Sequence, residues 1–207
     1  MKLIEKGVLV VISGPSGVGK GTVRASIFEQ ENHNLEYSTS MTTRQPRVGE
    51  VDGSDYFFTT KDQFLNRIDQ GQFLEWAEFC GNYYGTPLDY VQKRLDEGKD
   101  VVLEIEVQGA LQVKNVMPDA AFIFIAPPSM DELRNRIMTR GTESMDVINK
   151  RMQKAEAEIG LAYEYDYIVV NDTVETARDR IMAIIQAEHY RSSRVLEDYN
   201  KKIVEVE

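Results

Sequence analysis

An apolar, β-branched run from Gly7 to Ser13 (GVLVVIS) leads directly into Gly14-Pro15-Ser16-Gly17-Val18-Gly19-Lys20-Gly21-Thr22, and a helix-compatible stretch, VRASIFEQ, follows. A strand that is apolar on both faces must be covered on both, the condition of a parallel sheet flanked by helices. The glycines let backbone N–H groups turn inward around phosphate oxygens, the following helix presents its positive end, and Lys20 reaches the β and γ phosphates. Its position between a buried strand and a helix separates this loop from an ordinary glycine turn. The nine residues from Gly14 to Thr22 therefore read as a nucleotide-phosphate cradle. The commonest form of such loops places Ser or Thr directly after the lysine to hold magnesium, and here that position is Gly21. Thr22 is the candidate for a water-mediated role, no direct metal ligand is assigned, and Mg2+ is expected with the nucleotide, because the charge of a triphosphate must be neutralised during transfer.

Two further apolar runs, Val101 to Ile105 and Ala121 to Ala126, and a shorter one, Tyr167 to Val170, are separated by helical stretches. Thr86 is expected to cap a helix with Pro87 at its first position, Leu88, Val91 and Leu95 on one face and Gly98 at its end. Ser129 and Glu132 form a capping-box pattern for a helix stopping near Gly141. Asp172 is expected to cap a run whose Val174, Ala177, Ile181, Ile184 and Ile185 share one stripe. The alternation predicts an α/β fold, a doubly wound parallel sheet.

The stretch from about Asn34 to Thr86 differs. It is rich in Thr, Ser, Tyr, Phe and Gly, with short alternating pieces such as Ser54 to Thr59 and a helix capped in the Thr60 to Gln63 pattern. It reads as an inserted, strand-rich lobe. The 207 residues then form one domain, with a core of 1–33, 87–135 and 152–207, a lobe of 34–86 and a helical lid of 136–151, a size that supports one core but not two large ones.

Thirty-four acidic against 24 basic residues give a net charge of −10, which argues against a broad nucleic-acid surface and requires positive groups for any polyanion to be concentrated locally. No apolar run approaches the roughly 20 residues that cross a bilayer. The amino terminus lacks the small-residue cleavage site of a secretory signal, so a cytosolic protein without a membrane partner is expected. The single cysteine, Cys80, excludes an internal disulfide and reads as a small, half-buried side chain. A homo-oligomer is compatible with all of this.

Local positive groups are present. Arg44 and Arg47, three residues apart, suit bidentate contact with a phosphate, and Tyr56 and Tyr84 can donate phenolic hydrogen bonds to the same group, although each is equally compatible with an ordinary surface position. The motifs GPSGVGKGT, TTRQPRVGEVDGSDYFF, FLEWAEFCGNYYGT, EIEVQGA, IFIAPPS, RGTES and VVND, in this order, make the chain resemble the guanylate kinases along nearly its whole length. The Gly-Lys-Gly-Thr of the loop is likewise similar to that of nucleoside monophosphate kinases. The resemblance implies a P-loop kinase that transfers the γ-phosphoryl group of ATP to GMP, and dGMP alongside it, within purine nucleotide metabolism and GMP recycling.

It further implies that Arg44, Arg47, Tyr56 and Tyr84 hold the GMP phosphate, and that Ser40, Glu75 and Thr86 hold the guanine. Glu106 would lie near the GMP ribose or base edge and Glu104 near the metal and phosphates. Arg136, Arg140 and Arg151 would form a lid over the triphosphate, and Asn171 would meet the adenine edge. Thr86 stands where the family often has Ser, and Glu106 where many members carry Asp. Chemistry supports Glu75 separately: guanine offers N1–H and N2–H₂ on one edge, which a carboxylate can accept together, while adenine has no N1 proton. Two alternatives stay open at this level. One is a scaffold-type binding module of the same fold, against which the intact loop with Lys20 argues. The other is a kinase with another acceptor such as AMP, against which Glu75 argues.

Overall fold

Every residue of the first strand is buried, as an apolar run with no polar face requires. In the computed structural model the described residues are 6–31, 33–139 and 144–204. They run β1 (Leu9–Ser13), α1 (Lys20–Phe28), β2 (Leu35–Tyr37), β3 (Met41–Thr42), β4 (Phe57–Phe58), α2 (Lys61–Asp69), β5 (Phe73–Phe79), β6 (Asn82–Pro87), α3 (Leu88–Asp96), β7 (Asp100–Glu104), α4 (Val107–Val116), β8 (Ala121–Ala126), α5 (Met130–Thr139), α6 (Met145–Ile159), β9 (Tyr167–Val170), α7 (Val174–Glu188) and α8 (Ser192–Val204).

Five strands pair in the order β2-β7-β1-β8-β9, all parallel. Successive β1 side chains point to opposite faces. Val10 and Ile12 join Val23, Ile27, Ile137, Met152 and Ile181 under α1, α5, α6 and α7. Leu9 and Val11 join Val91, Leu95, Val113 and Phe122 under α3 and α4. Each large aliphatic side chain removed from water in this way contributes about 1.5–3 kcal/mol, so both faces of the sheet are anchored and the loop after β1 starts from a fixed point. A second sheet, β4-β3-β6-β5, mixes one parallel with two antiparallel pairings. Leu74 of β5 is buried in the α3/α4 cluster, so the second sheet is rooted in the core.

The doubly wound sheet stands as expected, with several local departures. Leu35–Tyr37 pairs with β7, so the core sheet, and not the inserted lobe, takes the first strand after residue 34. Pro87 occupies the cap position of α3, because Thr86 belongs to β6 and gives its hydroxyl to Glu75. Gly98 ends that helix in the left-handed region, with φ 78°. Thr60 and Gln63 form the expected capping box on α2. Ser129 accepts the Glu132 N–H at 3.1 Å, while the Glu132 carboxylate turns to Arg136 instead of closing the box. The end of that helix near Gly141 lies outside the described residues. Thr173, not Asp172, caps α7, accepting from the Thr176 N–H, and Asp172 pairs with Arg180 at 3.1 Å. Cys80 is exposed, not half-buried, at the β5–β6 turn with φ 50°. The carboxyl-terminal segment forms a separate helix whose Arg194 meets the buried Glu188 at 2.7 Å. No helix among the described residues is long and apolar enough to cross a membrane.

Asp100, buried at the start of β7, accepts the Val8 N–H at 2.8 Å and pairs with His189 Nε2 at 2.9 Å. Asp100→Ala leaves that N–H without a partner, and the expected cost is about 1–3 kcal/mol. It should appear as a lower urea midpoint at unchanged slope; an unchanged midpoint would remove this contact from the account.

Candidate active site

The phosphate loop is built by exclusion of side chains. Gly14 lies at φ 149°, and a Cβ there would sit 2.3 Å from the Ile125 carbonyl oxygen on β8. Gly19, at φ 97°, leaves room for Asn171, whose Nδ2 would be 2.8 Å from a Cβ. Between them Val18 is wholly buried and pins the loop to the core. Lys20 opens α1, and its ammonium donates to the carbonyls of Gly14 at 2.6 Å and Pro15 at 3.2 Å. Burial pushes its pKa below that of an ordinary lysine, against which Glu104, Glu158 and Glu106 act. The cation is thus held within the loop that it would share with a phosphate chain.

Gly21 now has a structural meaning. A Cβ there would stand 3.7 Å from Glu104 Oε1, so a carboxylate occupies the neighbourhood where related loops carry a hydroxyl. Glu104 ends β7 and pairs with Arg24 of α1 at 3.1 Å. Thr22 is exposed. Among the described residues no three acidic, histidine or cysteine side chains group as a metal site.

On one side of the loop lies a cleft of about 450 Å³ lined by Gly17, Gly19, Thr22, Arg136, Asn171 and Thr173, among others. Asn171, buried at the end of β9, donates from Nδ2 to the Val18 carbonyl at 2.8 Å. Arg136 of α5 donates to Val18 O at 3.2 Å and Asn171 O at 3.1 Å while pairing with Glu132 at 2.9 Å. Arg151 of α6 donates to the Ser16 hydroxyl at 2.9 Å. Both arginines therefore reach the loop. Arg140 lies outside the described residues.

The second sheet gathers the other candidates. Arg44 follows β3, and its Nη2 lies 2.8 Å from Glu50 Oε1, with its guanidinium 5.4 Å from the Tyr56 ring centroid. The Tyr56 and Tyr84 rings meet edge to face at 6.3 Å. Arg47 is exposed, and its backbone N–H donates to Glu50 Oε2 at 2.7 Å. Glu50 escaped the sequence reading, since an acid in a glycine-containing loop carries no periodic signal. Its carboxyl is held below the usual range, chiefly by the Arg44 hydrogen bond.

Glu75 of β5 faces Thr86 of β6 across a register pair, and the Thr86 hydroxyl donates to Glu75 Oε1 at 2.6 Å. Burial pushes its carboxyl above the usual range, and the Thr86 hydrogen bond acts the other way. Ser40 enters the same sheet, with its carbonyl accepting the Phe57 N–H at 2.9 Å. Glu106 is placed differently from the rest: at the cap position of α4 it is exposed and pairs with Lys154 of α6 at 2.7 Å. Lys154 also lies 3.5 Å from Glu158, a buried acid that the sequence reading did not single out. Chemically, the loop side can cradle a polyphosphate, and the sheet side offers a cation with phenols for a second phosphate and a carboxylate with hydroxyls for a base edge.

Comparison with known proteins places the chain in a family. A model of the guanylate kinase family matches residues 6–188. The guanylate kinase of Lactococcus lactis subsp. lactis (strain IL1403) is 62% identical over 202 residues, 98% of this chain and 98% of the relative. That of Bacillus subtilis (strain 168) is 61% identical over 203 residues, 98% of this chain and 99% of the relative. Among solved structures, the guanylate kinase from Anaplasma phagocytophilum aligns with a TM-score of 0.70 at 35% identity, covering 94% of this chain and 92% of that one.

Proposed function

Because the chain belongs to the guanylate kinase family, we infer that the loop and its cleft form the ATP side of the site and the second sheet the GMP side. The protein is an enzyme that transfers a phosphoryl group from ATP to GMP, giving ADP and GDP. The observation that carries the assignment of sides is the pairing of Glu75 with Thr86, a part-buried carboxylate met by a neutral hydroxyl, which leaves acceptor capacity for the two donors on the guanine edge.

In this reading residues 14–22 wrap the donor phosphates, and Lys20 leaves the Gly14 and Pro15 carbonyls for β and γ oxygens. Asn171, whose Nδ2 is committed to Val18, offers its Oδ1 to the adenine amino group. Arg44, oriented by Glu50, joins Arg47, Tyr56 and Tyr84 on the GMP phosphate, and Ser40 joins Glu75 and Thr86 at the base. Arg136 and Arg151, already on the loop, spread charge over the transferring group as the lid 136–151 closes against the lobe and water is excluded. Glu104 and Thr22 suit water-mediated holding of Mg2+, which supplies neutralisation of the triphosphate charge when it is bound. Glu106 is paired with Lys154 and turns to the GMP ribose only when that pair parts. We place the enzyme in the cytoplasm, without a nucleic-acid or membrane partner, in keeping with the net charge of −10.

ADP release from ATP is expected with GMP and not with UMP or without an acceptor. Arg44→Met removes charge-assisted hydrogen bonds, each worth about 1.5–3 kcal/mol. KM for GMP should therefore rise about tenfold to a hundredfold, kcat should fall because the acceptor oxygen is misplaced, and KM for ATP should stay within about twofold. An effect confined to ATP would move Arg44 to the donor side.

A further inference from the structure

Strand β5 is the edge of the second sheet, so alternate backbone groups along it lack a strand partner. Trp76, directly after Glu75, is given one by a side chain. Gln112 Oε1 accepts the Trp76 N–H at 3.1 Å, and Gln112 Nε2 donates to the Trp76 carbonyl at 3.1 Å. Of the common side chains, a carboxamide carries an acceptor and a donor side by side in the plane needed to answer both groups of one residue. Gln112 belongs to α4, a core helix that begins just after β7.

One helical turn earlier, on the same face of α4, Gly109 closes the other flank. A Cβ there would lie 3.2 Å from Glu75 Oε2 and 3.6 Å from its Cγ. That separation is tight enough to force the carboxylate to shift. Glu75 is therefore bounded on three sides: Thr86 holds Oε1, the missing side chain of Gly109 sets how far Oε2 reaches, and Gln112 fixes the backbone of the next residue.

We propose that Gln112 and Gly109 are positioning residues for base selection, fixing Glu75 from the core so that both carboxylate oxygens meet N1–H and N2–H₂ of guanine. The proposal rests on the reading of Glu75 as the guanine acceptor. It adds that the geometry is set by α4 and not by the second sheet alone. A carboxylate displaced by a few tenths of an ångström still accepts one donor, so the loss should fall on the second hydrogen bond, the one that distinguishes GMP from IMP. The link also refers the base to α4, the helix that follows the strand ending in Glu104, and through the β7–β1 pairing to the strand that launches the phosphate loop.

The test is steady-state kinetics with GMP and IMP for Gln112→Met, which keeps the size and removes both polar groups, and for Gly109→Ala, which removes no hydrogen bond. The GMP to IMP ratio of kcat/KM should fall about tenfold in each, the scale of one misdirected hydrogen bond, while KM for ATP stays within about twofold of the parent. General loosening of the fold would raise KM for ATP and slow both acceptors alike, and that result would overturn the proposal. Glu75→Gln is measured in parallel. If it lowers the ratio and the two α4 variants do not, the positioning role alone is wrong; if it too leaves the ratio unchanged, the guanine reading of Glu75 fails and the proposal with it. Should Gln112→Met fold poorly, Gly109→Ala decides the matter.

Discussion

Lys20→Ala is expected to lower kcat for GMP phosphorylation about a hundredfold to a thousandfold, the scale found when one preorganised donor to a developing anion is removed. The starting geometry makes the effect specific. The ammonium rests on the carbonyls of Gly14 and Pro15, so it is already within the cradle and has only to exchange acceptors. Its partners are backbone oxygens at a part-exposed position, which water can satisfy in the variant. Thermal unfolding should therefore shift little. A folded variant with near-parental turnover would exclude Lys20 from the phosphoryl-transfer step.

Glu75→Gln is expected to collapse base selectivity. The parent should use GMP better than IMP and IMP better than AMP, because IMP keeps N1–H alone and AMP offers neither N1–H nor an O6 acceptor. Each hydrogen bond to the charged carboxylate contributes about 1.5–3 kcal/mol, and a buried acceptor left empty adds a penalty, so discrimination against AMP should exceed a hundredfold. The variant should lose this mainly by becoming worse with GMP. The pH dependence gives a second reading. Burial raises the Glu75 carboxyl above the usual range, and guanine needs the ionised form. As pH falls through that raised pKa, kcat/KM for GMP should fall, and the limb should vanish in Glu75→Gln. Linkage adds a sign: an acid whose folded-state pKa lies above its unfolded value costs stability once it is ionised. The amide variant should thus be no less stable than the parent at neutral pH. Equal use of GMP and AMP by the parent would refute the assignment.

What the sequence made legible depended on how local the deciding contact is. β1, the loop and α1 could be read because a strand buried on both faces and a chain of backbone-only contacts leave their mark in consecutive residues. Thr86 could not. Its hydroxyl can cap α3 or meet Glu75, and the choice is made by a residue across a sheet register. Asp172 and Thr173 are adjacent and both cap helices well; Arg180, two turns away, takes the aspartate and leaves the threonine for α7. β2 is three half-exposed residues long, too short for an apolar run, and it becomes a core strand only through β7. In the site, the loop and Glu75 were visible as chemistry, whereas Glu50, Gln112 and the Lys154 partner of Glu106 depend on contacts made by folding.

The order of strands along the chain has an evolutionary corollary. All four strands of the second sheet come from one uninterrupted stretch, Met41 to Pro87. The residues assigned above to the donor side come from the ends of β1, β7 and β9, far apart in the chain but neighbours or near neighbours in the sheet, and from α5 and α6. On the division of sides inferred above, the acceptor contacts from Ser40 to Thr86 form a single cassette that one recombination event can exchange with the core register left intact, provided the graft presents a backbone that Gln112 can grip, while Glu106 stays with the core. Donor identity has no such unit, and altering it would require coordinated changes in several separate elements.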